Sequence, residues 1–147
     1  TQLLRKVASF GASILDMKYI YKNFVRCALE YSSSVWHRSL TQDNKSDLER
    51  VQKSALRIIL GAKYTSYEEA LCLLDLETLS DRREILFRRF AEQCLQVKQM
   101  ETIVKKHDKI HNMTLRKTDK YKVTKSNTER FQMSAGIQIQ NTLNEMS

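Results

Sequence analysis

An all-α fold is predicted for this chain of 147 residues by three observations. It holds no proline and three glycines, which suits long helices and argues against a turn-rich sandwich or barrel. Apolar residues recur at intervals of three and four over most of its first hundred positions, the period of a helix with one oily face. Residues that make good N-caps stand where several of these periodic stretches begin. The expected architecture is a small bundle of four or five amphipathic helices over residues 1–99, followed by a basic, partly ordered C-terminal extension over residues 100–147.

Leu3 to Phe10 forms a first short helix that stops at Gly11. Ser13 and Asp16 then make a capping box, with Asp in place of Glu, for a second helix from about Leu15 to Tyr31. Along it Met17, Ile20, Tyr21, Phe24, Ala28 and Tyr31 share an arc of roughly 100°, while Lys18, Lys22 and Arg26 step beside them as a basic edge. Ser32, Ser33 and Ser34 weaken the helix, and Trp36 follows as an aromatic anchor expected to pack under the central helix.

That central helix runs from Asp47 to Gly61, with several candidate N-caps between Thr41 and Asn44. Leu48, Val51, Ala55, Ile58 and Ile59 fall on one side, and Arg50, Lys53 and Arg57 fall almost opposite. Gly61 stands where a left-handed cap is expected. Ser66 and Glu69 open a short helix through Leu74. Thr78 caps a longer one to about Met100, with Leu79, Leu86, Phe90, Cys94 and Val97 on one face and Glu84, Arg88 and Glu92 on the solvent side. Arg83 lies on the apolar side, and is expected either to snorkel or to pair with Asp75 or Glu69. The core is expected around Tyr21, Phe24, Trp36, Val51, Ile58, Leu86 and Phe90.

Past Met100 the periodicity fades and charge accumulates. Residues 98–147 carry ten basic and five acidic side chains, whereas residues 1–97 carry fifteen and twelve, so most of the excess charge sits in the tail. Residues 100–128 read as a linker or marginal helix, and Thr128 to Met146 as a last amphipathic segment through Phe131, Ile137, Ile139 and Leu143.

A net charge of +8 points to polyanionic partners, nucleic acid above all. Cys27, Cys72 and Cys94 are odd in number and lie in apolar helical patterns, so they read as buried thiols of a reducing, intracellular compartment, nuclear or cytoplasmic. No apolar run approaches a membrane span. Nor does the chain offer a phosphate-cradling glycine loop, a Ser-His-Asp arrangement or paired aspartates at a strand turn, so neither a catalytic residue nor a cofactor is expected in it. His107 and His111 stand four apart but read as a solvated pair, not a zinc site. A chain that opens on Thr1 reads as a fragment of something longer.

The stretch LERVQKSALRIILG (Leu48 to Gly61), with YTSYEEAL (Tyr64 to Leu71) after it and LEYSSSVWHRSLT (Leu29 to Thr41) before it, resembles the segment downstream of the catalytic aspartates in non-LTR retrotransposon reverse transcriptases of the jockey-, CR1- and RTE-like elements. The resemblance runs from LLRKVASFG (Leu3 to Gly11) to RRFAEQCL (Arg88 to Leu95), and returns more weakly in ERFQMSAGIQIQNTLNE (Glu129 to Glu145). In that family a proline usually stands at the position of Cys27 and often another near Ser34; without them the end of the second helix is open.

The resemblance implies the thumb and part of the C-terminal extension of an RNA-directed DNA polymerase. The family's magnesium ions are held by palm aspartates, including a pair in a Tyr/Phe-x-Asp-Asp turn that does not occur here. The implied partners are therefore an RNA/DNA primer–template duplex and the fingers and palm upstream in the same polyprotein. Lys18, Lys22 and Arg26, with Arg50, Lys53 and Arg57, would then be the surface that tracks phosphates. On spacing alone, each stripe is also the solvated face that any amphipathic helix must have. The alternative reading is a small helical protein-interaction or oligomerisation module, in which an exposed patch drives dimerisation. A membrane-surface domain is set aside, because the basic stripes flank faces needed for the core and leave no apolar surface to insert.

Overall fold

The computed structural model describes residues 1–106 and 120–146. The fold class is all-α, and among the described residues the sole sheet-like feature is an isolated antiparallel bridge between Lys106 and Tyr121. By packing, the chain divides into two compact units: Thr1–Ser33 with Leu40–Arg83, and Ser34–Ser39 with Glu84–Ser147. No helix among the described residues is long and apolar enough to cross a membrane.

In the first unit, α1 (Gln2–Ser9) is followed by α2 (Ile14–Ile20). The expected capping box is present: Asp16 N–H donates to Ser13 Oγ at 3.2 Å, and the Ser13 hydroxyl and N–H reach back to the Asp16 carboxylate. After Ile20 the helix widens into a π-helical segment, Tyr21–Arg26, before α3 (Cys27–Glu30). This overturns the expected apolar stripe beyond Tyr21. Phe24, Ala28 and Tyr31 are exposed, and Val25 and Leu29 turn inward instead. A π turn holds more residues than an α turn, so the inward face runs Met17, Tyr21, Val25, Leu29 at a constant spacing of four. The Asn23 side-chain amide donates to the Tyr19 carbonyl at 2.9 Å and the Cys27 thiol to the Lys22 carbonyl at 3.4 Å, which occupies two carbonyls of the widened turn.

The central helix α5 spans Gln42–Leu60, five residues longer at its start than expected, because Thr41 Oγ1 caps it by accepting from Asn44 N–H at 3.3 Å. Helices α1, α2 and α6 (Tyr67–Leu73) pack on it. Its buried face is Gln52, Ala55, Leu56, Ile59 and Leu60, while Leu48, Val51 and Ile58 are only half-buried. The face is thus rotated from the one its apolar residues define, and a polar residue lies within it.

Gln52 explains the rotation. The Tyr21 hydroxyl donates to Gln52 Oε1 at 2.6 Å, and Gln52 Nε2 donates to the Tyr67 hydroxyl at 3.0 Å and to the Glu77 carbonyl at 2.9 Å. The Tyr67 hydroxyl donates onward to Glu49 at 2.6 Å, and the other Glu49 oxygen accepts from Ser80 N–H at 2.8 Å. Burial pushes both phenols well above the usual tyrosine range, with the Glu49 hydrogen bond adding to the effect at Tyr67, so both act as donors. Arg83 is completely buried beside this network. Burial lowers its pKa, and the carboxylates of Glu49 and Glu30 work against that, in place of the expected Asp75 or Glu69. Glu30 also holds Arg82 at 2.6 Å.

Ser66 caps α6 by accepting from Glu69 N–H at 3.2 Å. That helix closes on Asp75, whose φ of 48° is left-handed, with Leu76 N–H donating to the Leu71 carbonyl at 2.9 Å. Gly61 does not form the left-handed cap expected of it: φ is +52° but ψ is −122°, a region almost restricted to glycine. Helix α7 (Leu79–Cys94) is capped by Thr78, which accepts from Asp81 N–H at 3.1 Å.

The second unit takes α7 from Glu84 onward, most of the single turn α4 (Ser33–Trp36), α8 (Glu129–Gln132) and α9 (Ala135–Glu145). Trp36 is half-buried in this unit, whereas α5 belongs to the other. Helix α7 ends at Cys94, short of Met100, and Val97 is exposed. The core consists of Phe87, Ala91, Cys94, Tyr121, Ile139 and Leu143, with Phe90 half-buried against it as expected, and Phe87 takes the place expected for Leu86, which is half-buried. Phe131 is exposed.

The described parts of the extension are tied down by amides on α9. Asn144 brackets the Tyr121 backbone, accepting from its N–H at 2.8 Å and donating to its carbonyl at 2.9 Å. Gln140 accepts from Thr124 N–H at 2.8 Å and donates to the Ile103 carbonyl at 2.5 Å. Of the cysteines, Cys94 alone is buried; Cys27 and Cys72 are exposed, against expectation.

Replacing Gln52 by Leu should destabilise the first unit by about 2–4 kcal/mol, since the buried Tyr21 hydroxyl and the Glu77 carbonyl lose this partner and the Tyr67 hydroxyl keeps only Glu49; urea unfolding measures it, and a loss under 1 kcal/mol would show that the amide is incidental. Nothing lies within 4 Å of a Cβ added at Gly61. The Gly61→Ala cost is therefore purely conformational, about 1–3 kcal/mol, and is read as a lowered melting temperature.

Candidate nucleic-acid interface

The six basic residues singled out by spacing all lie in the first unit, on two helical runs. On the outward side of α5, Arg50, Lys53 and Arg57 are all exposed. Arg50 Nη1 lies 3.0 Å from Asp47 one turn earlier, a pair open to water on both sides that leaves the guanidinium available to a stronger anion. Lys53 Nζ stands 4.8 Å from the centre of the Tyr67 ring, and the Arg57 guanidinium 5.2 Å from that of Tyr64. Each contact is worth about 0.5–1 kcal/mol at an exposed site, enough to bias a long side chain toward one direction. Two of the three cations are therefore steadied by aromatic faces, with no carboxylate needed.

On the second run, Lys18, Lys22 and Arg26 keep a spacing of four through the π segment, and all are half-buried. Arg26 differs from the two lysines: its Nε lies 3.8 Å from Glu30, and its side chain is largely covered. This edge therefore offers two ammonium groups without an ion pair among the described residues and one arginine that is already engaged. A phosphate-tracking surface needs cations that can exchange water for phosphate oxygen, which favours the α5 set.

Three other features go beyond what sequence patterning singled out. The first is the Gln52 network with its neighbour Arg83. Its signal was available, because Gln52 and Glu49 interrupt the apolar side of α5 at a spacing of three. The second is a cluster around Glu84 in the second unit. His37 Nε2 lies 3.1 Å from one Glu84 oxygen, while Arg38 donates to the other at 2.6 Å and Arg88 to the same one at 3.3 Å. Arg38 also stands over the Phe87 ring at 5.1 Å. Burial pushes the Glu84 carboxyl up, but the hydrogen bond with His37 and the two arginines outweigh it and hold the group below the usual glutamate range.

The third is a set of exposed apolar side chains on the α2–π–α3 run, Leu15, Tyr19 and Phe24. It corrects the expectation that every apolar face is consumed by the core. Among the described residues no group of three or more His, Cys, Asp or Glu side chains is placed to hold a metal ion. His107 and His111, and with them Lys109, Arg116 and Lys117 of the basic tail, lie outside the described residues.

Comparison with protein-family models, with curated protein sequences and with solved structures returned no match.

The Glu84 cluster has a pH signature. Its folded pKa is depressed, so its contribution is complete above the unfolded glutamate value of about 4.3 and is lost as pH falls through the folded one. Glu84→Gln should lower stability at neutral pH by about 2–3 kcal/mol, the worth of hydrogen bonds to a charged group, and should flatten the acid limb of the stability curve. Thermal unfolding at a series of acid and neutral pH values checks both effects; an unchanged acid limb would exclude Glu84 as its source.

Proposed function

We propose that the chain is the thumb and downstream region of a non-LTR retrotransposon RNA-directed DNA polymerase, with residues 1–99 as the thumb and 100–147 as the basic extension. In this reading it performs no chemistry itself; catalytic aspartates and magnesium belong to a palm upstream in the same polyprotein. Its work is to hold the primer–template duplex, in an intracellular setting, while the palm extends the primer.

The observation that carries the reading is the outward side of α5. Arg50, Lys53 and Arg57 stand exposed there, two of them braced on tyrosine rings, within the stretch whose motifs carry the resemblance. A hybrid duplex is close to A-form, and its wide minor groove presents shape and phosphate edges with little base code. Cations on one face of a rigid helix suit such a target, because contacts to phosphate position a duplex without reading its sequence. The Gln52 network supports the geometry: it anchors α5 from the inside through Tyr67, the same residue whose ring lies under Lys53.

Binding of an RNA–DNA hybrid, followed by fluorescence anisotropy against salt, tests the proposal. With about five phosphates neutralised, the logarithm of the association constant should fall with a slope near −4 per decade of salt. Reversing Arg50, Lys53 and Arg57 to glutamate should weaken binding and flatten the slope by about 2 or more. Equal binding by the reversed and parent chains would refute it.

A further inference from the structure

We infer that the outward face of the α2–π–α3 run is a stacking platform for single-stranded nucleic acid, distinct from the α5 rail. The inference rests on the nucleic-acid reading above and adds a second form of ligand to it. Three large side chains stand out from this run: Leu15 is 75% exposed, Tyr19 69% and Phe24 63%. An α-helix with the same sequence would turn Phe24 and Tyr31 toward the core with Met17 and Tyr21. The π segment redirects them, and holds Tyr19 and Phe24 one widened turn apart, with Asn23 pinning the Tyr19 carbonyl between them. A π turn is uncommon, and it is frequently found at functional sites.

Charge decides what suits this face. The run contains two carboxylates, and both are occupied: Asp16 by the Ser13 cap, Glu30 by Arg82 at 2.6 Å and Arg26 at 3.8 Å. Lys18 and Lys22 have no ion-pair partner among the described residues and follow the same run at a spacing of four. Aromatic rings bordered by unpaired ammonium groups, with no open carboxylate, match a ligand that is anionic along its backbone and flat along its bases. Unpaired bases stack on such rings whatever their identity, while lysines follow the phosphates. A second copy of this chain fits poorly, since it would bring lysines and rings against the same lysines and rings in a chain of net charge +8.

The probes are fluorescein-labelled oligo(dT) and oligo(rU) of twenty nucleotides, with a blunt RNA–DNA hybrid as comparison and the full chain as protein. Tyr19→Ala with Phe24→Ala should weaken the single strands roughly tenfold or more, because each lost stack is costly, and leave the hybrid within about twofold. The exchanged pair Tyr19→Phe with Phe24→Tyr keeps both rings and should bind like the parent; far-ultraviolet circular dichroism confirms that each variant is folded. Lys18→Gln with Lys22→Gln should flatten the single-strand salt slope by about 1.4.

Unchanged single-strand affinity in the double alanine variant overturns the inference, and so does a parent dimer by light scattering that the same variant dissolves, which would make the face an interface between copies. Reversal of the α5 cations separates the two readings: hybrid binding lost there, with single strands insensitive to Tyr19 and Phe24, leaves the duplex reading standing and removes this one.

Discussion

A buried amide governs the first unit. Gln52 is almost wholly hidden, and an amide in that position must find partners for both its oxygen and its nitrogen or cost the fold several kcal/mol. Tyr21 from the π segment, Tyr67 from α6 and the Glu77 carbonyl from the approach to α7 all converge on it. Three separate parts of the chain are thus registered against one side chain of α5. Apolar packing around Leu56 and Ile59 supplies most of the burial, but it is non-directional and would tolerate a helix turned by several tens of degrees. Hydrogen bonds do not tolerate that, and they select the rotation observed.

The second consequence is electrostatic. Arg83 and Glu49 are drawn into the same region, Glu49 receiving a phenol and a helix N-terminal amide, Arg83 balanced against Glu49 and Glu30. Burial of such charges stabilises only weakly, but removing one partner leaves another exposed to the full desolvation cost. The unit therefore has a core in which polar geometry matters as much as volume. The second unit uses the same device at smaller scale: Gln140 and Asn144 of α9 hold the Ile103 and Tyr121 backbones, and Glu84 gathers His37 and two arginines.

The outside of the molecule follows from the inside. Turning α5 to satisfy Gln52 still leaves Arg50, Lys53 and Arg57 in water, so the proposed duplex rail survives the rotation. The π segment has the opposite effect on its own run. By bringing Val25 and Leu29 inward it turns out Phe24 and Tyr31, converting residues that pattern as core into surface. Each proposed binding face is what remains after the polar and apolar demands of the core are met.

Helical class, most helix starts and the positions of the exposed α5 cations were legible in the residues themselves. Those properties are local: a cap such as Ser13 with Asp16 or Thr41 with Asn44 acts within one turn, and charge on a helix finds water without a partner elsewhere. The exposure of Tyr19 and Phe24, the carboxylates that face Arg83 and the choice of Phe87 over Leu86 were decided only by tertiary structure. The physical reason is that each depends on contacts between residues distant in the chain. An extra residue in a helical turn, or an amide that draws three segments together, changes which side of a helix is inside without changing that it is a helix.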